Sequence, residues 1–222
     1  MKMKLKDKNV VFLGDSITYG YGLEDVKYRF SDILKKELNL KSAGNYGISG
    51  TRIARQLSPN PNAAEDQLDF CARYTEMKQD ADVIVVFGGV NDYQHGDAPM
   101  GNANDRSPDT FYGALNFLYS NLRKKYPHAV VIVVTPMHMV EDKKPGGRFS
   151  EAEKPFILED YVHAIKQVAA NYNYPILDLF SHRELDANDS EVRLKCVPDG
   201  IHPNAEGHRM IANLLLDFLK KL

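Results

Sequence analysis

Four separated segments carry the groups that nucleophilic acyl transfer requires. They are "GDSIT" (14–18) with Ser16, "GNYGISG" (44–50) with Gly47, "GGVND" (88–92) with Asn91, and "PDGIHPNAEGH" (198–208) with Asp199 and His202. A serine hydroxyl attacks an acyl carbon only when a base takes its proton. His202 can be that base, and Asp199, three residues earlier, can orient it. The oxyanion that then develops needs donors, for which the backbone N–H groups of Ser16 and Gly47 and the side-chain amide of Asn91 are the candidates. Glycine at 47 lets backbone approach a substrate closely. Each segment also has a plainer reading. Ser16 could be a helix cap after a tight turn, "GGVND" a turn satisfied by its own Asn and Asp, and His202 an exposed approach to a helix capped by Asn204. Their conjunction favours the site.

Such residues need a scaffold that brings them to one edge. "NVVFLG" (9–14), "DVIVVFGG" (82–89), "AVVIVVTP" (129–136) and "PILDLF" (175–180) are short, β-branched and bounded by Gly or Pro, as strands buried on both faces should be. Helical spacing predicts helices over Glu24–Leu38, Asn62–Lys78, roughly Pro155–Asn171 and from about Ala205. Another places Phe111, Leu115, Leu118 and Leu122 on one face, with Ser107 as N-cap, Pro108 at the first helical position and Pro127 closing the helix at Tyr126. The βαβα order predicts a flavodoxin-like α/β fold, a three-layer α/β/α sandwich with a mainly parallel sheet, as one domain over residues 1–222. Two irregular polar segments, 94–107 and 139–154, follow strand C-termini. At that edge of an open α/β sheet they are placed either to shape a pocket or to lie as solvated insertions.

Composition narrows the partners. The 222 residues hold 28 Lys+Arg against 30 Asp+Glu, a formal net charge of −2, and no basic stretch dense enough for a nucleic-acid footprint. No apolar run approaches the ~18 residues of a membrane span, and the interrupted N-terminal run is too short for a signal h-region, so a cytoplasmic location is expected. Cys71 and Cys196 have no metal-type spacing and support no disulfide framework; both are read as reduced thiols.

The four segments together resemble the sequence blocks of the SGNH hydrolases, the GDSL family of esterases and lipases, in order over about residues 9–208. "GDSIT" is similar to the nucleophile block, with Ile17 in place of the Leu of the family name. "NYGISG" and "GGVND" resemble the second and third blocks, and "DGIHPN" the last. The resemblance implies Ser16 as nucleophile, Gly47 and Asn91 as oxyanion donors, Asp199 as orienter and His202 as base. It also implies ester hydrolysis through an acyl-enzyme, with no metal or organic cofactor. The "GxSxG" elbow of the α/β-hydrolases is absent, so that fold is not implied.

The reading at this level is a serine esterase acting on small or carbohydrate-linked, acetyl-type esters. A lysophospholipase or thioesterase of the same family is the alternative. A metal-dependent phosphoesterase and a non-catalytic carbohydrate-binding domain are the rivals from other classes, and a homo-oligomer is compatible with the sequence. Further residues are candidates for substrate contact. Asp15 and Tyr19 flank the nucleophile, with Tyr21 beyond, and these tyrosines either stack on a sugar, wall an acyl pocket or cover core. Arg52 meets a polar substrate group or forms a surface salt bridge, and His138 touches substrate or is a solvated loop residue. His95 and Asp97, grouped with Asp15, Asp199 and His202, make an unconvincing metal set, and no metal is expected.

Overall fold

Where an apolar run is continuous, period-2 alternation gives a strand two buried faces. In the computed structural model, which describes residues 4–147 and 155–222, the strands are β1 (Asn9–Gly14), β2 (Ser42–Gly47), β3 (Val83–Phe87), β4 (Val130–Val134) and β5 (Ile176–Leu177). All pair in parallel, in the order β2-β1-β3-β4-β5. Val11, Leu13, Ile84, Val86, Val131 and Val133 point into one core; Val10, Phe12, Val85, Phe87, Ile132 and Val134 point into the other.

Among the described residues the helices are α1 (Ser16–Tyr19), α2 (Phe30–Glu37), α3 (Ala64–Gln67), α4 (Phe70–Arg73), α5 (Val90–Gln94), α6 (Phe111–Lys125), α7 (Leu158–Asn171), α8 (Ser190–Cys196) and α9 (Ala205–Leu219). Helices α4, α6 and α7 cover the first core, and α2 and α9 the second. The expected α/β/α layering is observed. The chain runs from β1 out to β2, then returns to the other side of β1 as β3, so the strand order reverses between β1 and β3. Ligand crevices form at such a point, outside the carboxyl ends of the strands. The register pairs Gly14 with both Gly47 and Phe87, so the turns after β1, β2 and β3 emerge side by side.

Several boundaries differ from expectation. The helix expected over 24–38 starts at Phe30, because Val26 is exposed and Asp25 caps a separate 3-10 turn at Val26–Tyr28. The one expected over 62–78 is broken. Asp69 restarts it by accepting from the Ala72 amide at 2.8 Å, while the Phe70 amide bonds to the Arg52 carbonyl. The N-cap of α6 is Thr110, whose hydroxyl accepts from the Gly113 amide at 3.1 Å; Ser107 bonds to Asp109 instead. Strand β5 is cut short where Asp178 takes the Thr135 hydroxyl at 3.0 Å and turns the chain. Asn204 caps α9 as expected, accepting from the Glu206 and Gly207 amides. Residues 148–154 of the second irregular segment lie outside the described residues. Within the first segment Asp97 accepts from the Leu57 and Ser58 amides, bracing a neighbouring loop.

One packing detail sets a pH dependence. His208, in the first turns of α9, is fully buried, stacks on Phe30 and accepts from the Phe30 amide through Nδ1 at 3.3 Å. Burial, with Arg29 and His202 nearby, pushes its pKa down from 6.5 to about 4. Above pH 6.5 both folded and unfolded chains hold it neutral. As pH falls from there toward 4, the unfolded chain takes up the proton first and stability is lost. Between pH 7 and pH 5 the wild type is expected to lose about 2 kcal/mol more than His208→Gln. Urea unfolding of both at the two pH values measures this, and equal losses would remove His208 from the acid sensitivity.

Candidate active site

Strand β1 ends at Gly14, and Asp15 turns the chain into helix at once. Its carboxylate accepts from the Ile17 amide at 3.0 Å and caps α1. Gly20, at φ 86°, stops the helix after one turn in the left-handed conformation. Ser16 occupies the first helical position, where an amide has no carbonyl one turn back, and its N–H donates to no described residue.

The chain that carries His202 arrives from the far end of the sequence. Asp199 closes the turn with Oδ1, which accepts from the amides of Ile201 at 2.9 Å and His202 at 2.7 Å. Gly200 has φ 85°, and its carbonyl accepts from the Val140 amide at 2.9 Å, which ties the turn to the loop after β4. Oδ2 of Asp199 then meets His202 Nδ1 at 2.7 Å, and His202 Nε2 meets Ser16 Oγ at 3.0 Å. An ionised carboxylate only accepts, so Nδ1 carries the proton and Nε2 presents its lone pair to the hydroxyl. Burial raises the Asp199 pKa, but the His202 amide, the His202 ring and the Ile201 amide outweigh it, holding the carboxyl below its ordinary value. Tyr21 lies against the imidazole, ring centroids 4.6 Å apart, and about half of its surface is exposed.

Asn91 sits on α5, one turn of chain beyond β3, and is buried. One N–H of its side chain donates to the Thr51 carbonyl at 3.1 Å, which fixes the amide, and its second N–H donates to no described residue. Gly47 behaves differently from expectation. Its N–H donates to Asn45 Oδ1 at 2.9 Å, and Asn45 is itself held by donation to the Thr18 carbonyl at 2.6 Å and the Ser31 hydroxyl at 3.1 Å. The amide expected to face an oxyanion is therefore spent. Glycine is required at 47 on steric grounds, since a Cβ there would lie 2.1 Å from the Tyr19 nitrogen. Three residues on, Gly50 has φ 76°, and neither its amide nor that of Ser49 donates to a described residue. The Ser-Gly dipeptide was the available signal for this bend.

The other candidates separate. Asp15 is buried, and burial pushes its pKa up to about 7, against the Ile17 amide and the Arg73 cation, which lower it; its carboxylate serves α1. Arg52 is committed to Asp66, with a further Nη2 contact of 3.5 Å to the His95 carbonyl. His138 pairs with Asp142 at 2.5 Å and lies on the Phe180 ring at 3.8 Å, and the Asp142 hydrogen bond raises its pKa. Each is thus held by a carboxylate, although Arg52 Nε has no hydrogen-bond partner among the described residues. Tyr19 is about half exposed on α1. Among the described residues no three of His, Cys, Asp or Glu converge to hold a metal ion, and no helix is long and apolar enough to cross a membrane.

Two of the hollows are lined by residues close in sequence to Ser16, Tyr21 and His202. A cavity of about 10 Å³, room for the centre of one water-sized group, is lined by Ile17, Gly88, Val90, Met137, Met139 and Ile201. These include neighbours in sequence of Ser16 and His202. A groove of about 320 Å³ lies between residues 22–24 and Tyr28 on one wall and residues 204–206 on the other.

Residues 12–210 match the model of the GDSL-like lipase/acylhydrolase family. Among solved structures, a Lactobacillus plantarum protein is 34% identical, covers 97% of this chain and 98% of its own, and superposes with a TM-score of 0.82. A structure described as that of a possible lipase from Chitinophaga pinensis is 22% identical, with coverage of 96% and 98% and a TM-score of 0.70. A member of the lipolytic protein G-D-S-L family from Veillonella parvula is 18% identical, with coverage of 96% and 99% and a TM-score of 0.61. The last two likenesses are of fold. Among curated proteins none matches the chain.

Proposed function

Given that this chain belongs to the GDSL-like lipase/acylhydrolase family, we propose that it is a serine ester hydrolase that deacylates small or carbohydrate-linked short-chain esters. The observation that carries this reading is the unbroken hydrogen-bonded chain Ser16 Oγ, His202 Nε2, His202 Nδ1, Asp199 Oδ2. Ser16 attacks the ester carbonyl as His202 takes its proton, and Asp199 stabilises the imidazolium. The tetrahedral oxyanion is held by the Ser16 amide, by the free N–H of Asn91 and by the Gly50 amide, which replaces Gly47 in this role. His202 returns the proton to the leaving alcohol, then takes one from water, whose attack on the acyl-enzyme releases the acid and restores Ser16.

The hollows favour a short acyl group and a larger alcohol. The small cavity lined by Ile17 and Ile201, sequence neighbours of Ser16 and His202, suits a methyl group. The groove beyond Tyr21 presents Glu24, Glu206 and the Tyr28 ring, acceptors and a stacking face suited to a polyhydroxylated leaving group. A hydrolysis screen of p-nitrophenyl esters from acetate to palmitate, run beside acetylated sugars, tests this. We expect kcat/KM to be highest for acetate and to fall by octanoate. A long acyl pocket would gain ~0.8 kcal/mol for each methylene buried, so a kcat/KM that climbs from acetate through octanoate contradicts the short-chain reading.

A further inference from the structure

A single buried cation bonds two of the segments that the oxyanion site needs and is linked to the third through Thr51. Arg73, the last residue of α4, is 4% exposed, and its guanidinium lies over the Phe70 ring at 4.7 Å. Nη2 donates to the Gly14 carbonyl at 2.6 Å and to the Thr51 hydroxyl at 2.9 Å. Nη1 donates to the Tyr46 carbonyl, and Nε to the Leu68 carbonyl at 2.9 Å. Gly14 ends β1 two residues before Ser16. Tyr46 lies in β2, directly before the turn that contains Gly50. Thr51 follows Gly50, and its own carbonyl holds the Asn91 amide. One planar fork therefore ties Gly14 to the 46–51 segment, and the Thr51 carbonyl carries that tie on to Asn91. An ammonium, with its donors around one point, cannot span the same acceptors. The charged groups that face it are Asp15, Asp69 and Glu76.

We infer that Arg73 is a positioning residue for ester hydrolysis, holding the Ser16, Gly50 and Asn91 donors at the separation that fits a tetrahedral oxyanion. This rests on the reading of Ser16 as nucleophile. Its action is through geometry alone: Arg73 touches backbone and hydroxyl acceptors, not the reacting atoms. Displacing such donors weakens the transition state and leaves ground-state binding nearly unchanged, because the carbonyl reaches them fully only when tetrahedral.

Arg73→Lys in the full chain is expected to lower kcat by ~10²-fold, the scale of a misplaced but intact site, with KM within a few-fold. Affinity for an alkylboronic acid, which forms a tetrahedral adduct on the serine, should fall in parallel. Thr51→Val removes one of the acceptors without changing side-chain size and is expected to cost ~10-fold in kcat, below the loss from removing a whole oxyanion donor. A folded Arg73→Lys with a lowered melting temperature but wild-type kcat and boronate affinity would assign Arg73 to the scaffold alone. Should Arg73→Lys not fold, wild-type kcat and boronate affinity in Thr51→Val would overturn the inference equally. Failure of the underlying reading looks different: the wild type itself would hydrolyse no ester, and Ser16 would not be labelled by a serine-directed phosphonate.

Discussion

Ser16→Ala is expected to fold as the wild type does and to lose at least ~10³ of the ester hydrolysis rate, since nucleophile and base act as a unit. The substitution removes one oxygen. That oxygen bonds only to His202 Nε2, at 3.0 Å, whereas α1 is held by the Asp15 carboxylate and by Gly20, neither of which the change touches. The residue is 5% exposed, so alanine leaves no new apolar surface in water. What remains is a site with its oxyanion donors and its base but nothing for the base to activate except water. The residual rate therefore stays above the uncatalysed one. Steady-state kinetics and a melting curve on the same preparation decide the matter. A folded variant with near-normal turnover would sink the assignment of Ser16 and with it the acyl-enzyme.

Asn91→Ala separates catalysis from scaffolding. Its free N–H bonds most strongly to an oxygen that has become negative and tetrahedral, so the energy appears in the transition state. We expect kcat to fall by ~10²–10³, equivalent to about 2.7–4 kcal/mol, with KM within a few-fold. The same side chain also donates to the Thr51 carbonyl at 3.1 Å, and loss of that bond costs on the order of 1 kcal/mol of stability. The two magnitudes keep the effects apart. A domain of ordinary stability that loses ~1 kcal/mol remains almost wholly folded at assay temperature, so a hundredfold fall in kcat cannot come from unfolding. Unchanged kcat with a lower melting temperature would make Asn91 a turn residue only.

Where this chain is legible from sequence, local physics acts. The apolar β-branched runs at 9–14, 82–89 and 129–136 could only be buried strands, and the alternation with amphipathic stretches implied a layered parallel sheet. Asn204 announced α9, because capping is a contact between near neighbours. The types of residue at Ser16, Asn91, Asp199 and His202 pointed to one chemistry. Strand β2, "SAGNYG", escaped notice because it is an edge strand of intermediate burial and lacks the apolar run that marks its neighbours.

Only the tertiary structure decided which polar groups are free. The Gly47 amide is taken by Asn45, whose side chain is oriented by Thr18 and Ser31 from other elements. Arg52 and His138 had suitable chemistry and a suitable address, yet Asp66 and Asp142 already hold them. Arg73 carried no sequence signal at all, being one cation on an interrupted helix. Its acceptors at Gly14 and Thr51 lie 59 and 22 residues away along the chain. A sequence encodes periodicity and caps because these act within a few residues. The partner that satisfies a buried donor is chosen by whatever folding brings alongside, and for Ser16 and His202 that partner stands 186 residues away.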